Sequence, residues 1–107
     1  MTASIRFDDL PWQTIDPFAR QKTIDKGDRV IRLLEFQPGF EEAEFCTKSH
    51  VGFVVSGSMH IQFADRIELF GKGDVIYIEA GEKDRHKAVV EKENVTLLLV
   101  EDNNESQ

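Results

Sequence analysis

Cys46 and His50 stand four residues apart just before an apolar run, and a second histidine, His86, follows Asp84 by two positions. Thiolate, imidazole and carboxylate groups are what proteins use to hold transition metals. A mixed set of this kind suits Zn²⁺, and Fe²⁺ where nitrogen and oxygen donors outnumber sulfur. Glu44 precedes Cys46 by two residues, so if this segment is extended its carboxylate shares a face with the Cys46 sulfur while Phe45 points the other way. Closure of a barrel would bring Asp84 or His86 from a later strand opposite Cys46 and His50, so the expected ligands are Cys46, His50 and His86, with Glu44 or Asp84 as a fourth. If Glu44 is not a ligand, its carboxylate is the candidate general base, since a partly dry pocket raises a carboxyl pKa toward neutrality. Gly52, two residues beyond His50, is expected to face the same cavity and leave room for a water or small ligand.

Each of these residues also has a plainer reading. Cys46 is the only cysteine and cannot form an internal disulfide; besides a metal ligand it can be a free thiol, an intermolecular bridge or a small buried hydrophobe. His50 can be a hydrogen-bonded rim residue, and His86, within Asp-Arg-His-Lys, a solvent-exposed one. Glu44 ends the acidic run Glu41-Glu42-Ala43-Glu44 and can be surface charge, as can Asp84. His60 alternates out of phase with Met59, Ile61 and Phe63, which assigns it to an outer face. The two spacings together favour a metal more strongly than any one residue does.

The elements that must position these groups are strands. Residues 51–55 are β-rich, 56–58 form a tight turn, and 59–63 alternate apolar with polar, which predicts an antiparallel hairpin. Further strands are expected at residues 20–24, 29–36, 66–70, 75–78, 84–90 and 95–100, separated by glycine- and charge-rich turns. Nothing between residues 24 and 100 keeps a 3.6-residue period long enough for a helix. The chain therefore reads as all-β, a sandwich or barrel of eight or nine short strands. Residues 1–19, with Pro11, Trp12, Ile15, Pro17 and Phe18, read as an extended N-terminal arm containing a short strand at 4–7. The barrel takes residues 20–101, and 102–107 form a flexible acidic tail.

Composition narrows the function classes. A chain of 107 residues has room for one domain, and its net charge of -7 sets no attractive field for a nucleic-acid backbone. No apolar run approaches the ~20 residues of a membrane helix, and the N-terminus lacks a signal-peptide pattern, so the expectation is a cytoplasmic protein without a membrane partner. No glycine-rich loop links a strand to a helix, which argues against a nucleotide cofactor. Residues 51–55 and 97–100 are apolar on both faces. One face must line the interior and the other needs cover, which predicts a homodimer.

Gly39, the Glu44/Cys46 pair, His50 and Gly57 form one spaced series, and Gly73-Asp-Val-Ile-Tyr-Ile-Glu79-Ala80-Gly81 forms a second. Over residues 29–100 this framework resembles a small single-domain cupin of the type-2 conserved-barrel kind, a jelly-roll β-barrel. In the first cupin motif the two histidine positions fall here on Glu44 and Cys46, the glutamate on His50 and the closing glycine on Gly57. In the second, Glu79 replaces the usual proline and the histidine position falls on Asp84, with His86 two residues later. The resemblance implies a divalent metal, Zn or Fe, inside the barrel and a small-molecule ligand or substrate. Zinc would bring Lewis-acid chemistry and iron oxygen chemistry. Two alternatives stay open: a metal-free small-molecule-binding or structural module lined by Phe, Met and Val, and a nucleophilic-cysteine enzyme with Cys46 activated by His50 or His86.

Overall fold

A computed structural model describes residues 3–102. Among the described residues nine strands carry the fold: β1 Gln13–Asp16, β2 Ala19–Asp25, β3 Arg29–Phe36, β4 His50–Ser56, β5 Ser58–Phe63, β6 Ile67–Gly71, β7 Val75–Ile78, β8 His86–Val89 and β9 Val95–Asp102. They form a six-stranded sheet in the order β1-β2-β3-β9-β4-β7 and a three-stranded sheet in the order β6-β5-β8, with every pair antiparallel. Alternation decides which side chains enter the space between the sheets. Met59, Ile61 and Phe63 of β5 are buried, as are Ile76 and Ile78 of β7 and Val95, Leu97 and Leu99 of β9. His60 lies on the outer side of β5, 3.6 Å from Glu91.

The tight turn after β4 does not make the expected hairpin. β4 pairs with β7 and β9 in the large sheet, whereas β5 pairs with β6 and β8 in the small one. Gly57 is a corner between sheets. Its φ of +80° suits glycine, and a Cβ there would lie 1.9 Å from the Asn94 carbonyl oxygen. A register shift between Val54 and Ser56 prepares the bend.

Gly52 also departs from expectation. A Cβ on it would come 2.2 Å from the Leu98 carbonyl oxygen and 2.5 Å from Leu99 Cδ2, so the missing side chain makes room for β9 and not for a ligand. The strand expected at residues 4–7 is not formed; a 3-10 turn occupies Phe7–Asp9. The chain then runs along the outer face of β2. There the Arg20 guanidinium lies 4.1 Å and Lys22 Nζ 4.8 Å from the centroid of the Trp12 ring, and Lys22 Nζ donates to the Phe7 carbonyl at 2.8 Å. This cover leaves Lys22 only 8% exposed, a burial made tolerable by its hydrogen bond and ring contact. Of the expected acidic tail, Asp102 ends β9, and residues 103–107 lie outside the described residues.

Candidate metal centre

β8 places His86, and its neighbour across an isolated antiparallel bridge is Cys46. Cys46 N–H donates to the His86 carbonyl at 2.7 Å, and His86 N–H to the Cys46 carbonyl at 3.0 Å. β4 begins at His50, four residues on, and sets its imidazole Nε2 3.8 Å from Cys46 Sγ. One ligand atom from each of Cys46, His50 and His86 lies within 4.8 Å of the others, and the two imidazole rings meet edge-on with centroids 4.9 Å apart. The three residues expected as first ligands are thus brought together.

Hydrogen bonding aims both imidazoles. His86 Nδ1 is 3.0 Å from the Asp84 carbonyl oxygen. A carbonyl can only accept, so Nδ1 carries the proton and Nε2 keeps its lone pair. His86 is 2% exposed, and its Nε2 is buried with no hydrogen-bond partner. Burial lowers the His86 pKa; the Asp84 carbonyl opposes this, the His50 charge adds to it, and the charges of Glu42 and Asp84 oppose it. An orphaned, desolvated lone pair facing a thiol and a second imidazole fits a metal ligand, because a buried acceptor without a partner is otherwise costly.

His50 is held in the same sense. Its Nδ1 lies 2.7 Å from Glu101 Oε2, and Arg32 Nη1 donates to Glu101 Oε1 at 2.9 Å. Arg32 in turn donates through Nε and Nη2 to Gln21 Oε1 at 3.1 and 2.9 Å. Burial alone would raise the Glu101 pKa, but the hydrogen bonds from His50 and Arg32, with the charge of Arg32, outweigh it and bring the carboxyl to about 2. An ionised Glu101 accepts the Nδ1–H and leaves His50 Nε2 directed at Cys46. Glu101 and Arg32 were not legible as site residues, since neither belongs to a short-range motif. Alternation along β9 puts Glu101 on the same face as Leu97 and Leu99, and a carboxylate on an inward register was the available signal.

Glu44 and Asp84 are not brought into this group. From Glu41, which bridges to Val89, to Cys46, which bridges to His86, the chain advances five positions against three on β8. The excess is absorbed by bends at residues 43 and 44, which leave Glu44 exposed. Phe45, also exposed, packs against the cations of Arg85 and Lys87 at 5.6 and 5.4 Å. Glu42 lies on the inner side of this bulge. Its Oε1 accepts the Ala88 N–H at 2.8 Å, while its own N–H donates to the Ala88 carbonyl at 3.1 Å. Asp84 ends a 3-10 turn at Glu82–Asp84 before β8 starts, so strand alternation does not couple it to His86. Its backbone carbonyl orients His86, while the residue borders a separate cleft with Arg66, Glu68 and Glu79.

His50, His86 and Glu42 border a cavity of about 170 Å³ whose remaining wall is mostly apolar, including Leu34, Met59, Ile61, Ile76, Leu97 and Leu99. Arg32 reaches it too, and Ile15 of β1 stands at its mouth, lining the cavity while half exposed.

No family model matches this sequence. Solved structures do match its fold. The polyketide cyclase RemF of Streptomyces resistomycificus superposes with a TM-score of 0.79 at 20% identity, covering 100% of this chain and 89% of RemF. KdgF of Halomonas sp. gives 0.78 at 15% identity over 98% of this chain and 97% of its own. The cupin-2 domain Rru_A2000 of Rhodospirillum rubrum gives 0.75 at 13% identity over 100% and 78%. This chain has the cupin fold. Within this cupin barrel the donor set is atypical, with Cys46, His50 and His86 forming a group that could coordinate a divalent metal. Among the described residues, no helix is long and apolar enough to cross a membrane.

Proposed function

We propose that this cupin binds one divalent metal ion, zinc or iron, through Cys46 Sγ, His50 Nε2 and His86 Nε2, and uses it on a small molecule held in the barrel. The observation that carries this reading is the buried, unpartnered Nε2 of His86, a residue whose ligand atom lies within 4.8 Å of those of Cys46 and His50. Three protein ligands leave a coordination position for a ligand oxygen, as in catalytic rather than structural zinc sites. A bound ion there supplies a Lewis acid that polarises such an oxygen.

The chain's own groups do the rest. The Asp84 carbonyl and the Glu101 carboxylate hold the two Nδ1 protons, so both imidazoles present Nε2. Glu42 supplies the carboxylate at the cavity wall and is the group we assign to accept or return a proton, in place of the outward-facing Glu44. The apolar wall offers water few partners. A cytoplasmic setting belongs to this reading, because a reducing compartment keeps the Cys46 thiol free. So does a homodimer, supported by the exposed outer face of β4 and β7.

Elemental analysis of protein purified without added metal tests the proposal. We expect close to one equivalent of a transition metal, lowered strongly by both Cys46→Ser and His86→Ala. Full metal content in both variants would remove the assignment.

A further inference from the structure

The same cavity also states what kind of molecule it accepts, an inference that rests on the proposed function only in placing the ligand inside the barrel. We infer that the ligand is a compact, apolar molecule of about one ring carrying a single polar head, such as a phenol or small aromatic acid, and not a polyol or sugar.

Three observations converge on this class. The first is size: about 170 Å³ is comparable to an apolar cavity of ~150 Å³ that holds benzene. The second is the wall, where Leu34, Met59, Ile61, Ile76, Leu97 and Leu99 offer no hydrogen-bond donor and no acceptor beyond the weak thioether of Met59. The third is that most of the polar equipment bordering the cavity is already engaged. Arg32 is committed to Glu101 and Gln21, Glu42 Oε1 to the Ala88 N–H, and both histidine Nδ1 atoms to Glu101 and Asp84.

What remains for a ligand's polar atom is the group of ligand atoms of Cys46, His50 and His86, within 4.8 Å of one another, and the Glu42 carboxylate oxygen that does not take the Ala88 N–H. A molecule with one polar head, able to meet these few atoms, and a hydrocarbon body leaves no polar atom against the aliphatic wall. A sugar would bring several hydroxyls against aliphatic side chains. Each buried hydroxyl left unpaired would weaken binding by roughly tenfold or more. Ile15 at the mouth extends the apolar lining outward and favours entry of the same class.

The test compares phenol, cyclohexanol and myo-inositol, the last two sharing a six-carbon ring and differing only in hydroxyl number. Each is titrated by calorimetry into zinc-loaded and metal-stripped protein, and methyl NMR follows Met59, Leu97 and Leu99. We expect phenol and cyclohexanol to bind and to shift these methyls, with myo-inositol at least a hundredfold weaker than cyclohexanol. An Ala88→Phe variant, filling the cavity, should abolish the shifts; if it does not fold, intermolecular contacts from phenol protons to the Met59 methyl in the unaltered protein serve instead. Binding of myo-inositol as tight as that of cyclohexanol, or zinc-loaded protein whose cavity methyls ignore phenol at millimolar concentration, overturns the inference. Protein that takes up no metal yet shows phenol against Met59 supports it while removing the metal proposal.

Discussion

His50 Nδ1 and Glu101 Oε2 lie 2.7 Å apart although 51 residues separate them in the chain. The pairing of β4 with β9 makes the contact, and it fixes which imidazole nitrogen faces Cys46. Replacing Glu101 should therefore weaken metal binding without removing a ligand. We expect Glu101→Ala to reduce metal affinity by about 10–100-fold, in the range found for such outer partners, with Glu101→Gln less affected because it still accepts the Nδ1–H. Competition with a chromogenic chelator measures both. Equal affinity in all three proteins would separate Glu101 from the site.

The same carboxylate predicts how the metal-stripped protein responds to acid. A folded pKa of about 2 against an ordinary 4.5 is a depressed value, so the stabilisation is fully present above about pH 4.5 and is lost as pH falls toward 2. The difference corresponds to at most about 3 kcal/mol. Urea midpoints of the metal-stripped protein should fall as pH is lowered through this window, and Glu101→Gln should flatten that part of the dependence. An unchanged slope in the variant would assign acid sensitivity to other groups.

Gly52 tests how closely β4 and β9 pack. With a Cβ at Gly52 only 2.2 Å from the Leu98 carbonyl oxygen, backbone must move to accept it. Gly52→Ala should destabilise the barrel by about 1–3 kcal/mol, as overpacked sites do. Chemical denaturation gives the value, and a neutral or stabilising result would show that the sheet yields easily there.

The outer face of β4 and β7 carries Val51, Phe53, Val55, Val75 and Tyr77, the last two 67% and 69% exposed. A charge-free stripe on a chain of net charge -7 is most readily covered by its own copy through a two-fold axis, since an isologous contact sets apolar against apolar. Light scattering should give a dimer mass at micromolar protein, and Phe53→Asp should give a monomer with unchanged far-ultraviolet circular dichroism. A monomeric unaltered protein removes this prediction.

Period-two alternation was enough to show that residues 59–63 are a strand and which of its side chains face inward, because burial of one face is a local property of an extended chain. Residues 75–78 were legible as a strand, but being apolar throughout they did not reveal their inner face. Residue chemistry and short spacing likewise singled out Cys46 and His50, and the expectation of a closed barrel added His86. Tertiary pairing decided the rest. It turned the Gly57 bend into a corner between sheets through the closeness of Asn94, and it filled the gap at Gly52 with β9. It also looped out residues 43 and 44, so that Glu42 and not Glu44 borders the cavity. Glu101 joined His50 only when two strands far apart in sequence became neighbours. Alternation records which way a side chain points relative to its own strand; it carries no record of which strand lies alongside, and the contacts of Glu101 with His50 and Arg32 depend on that neighbour.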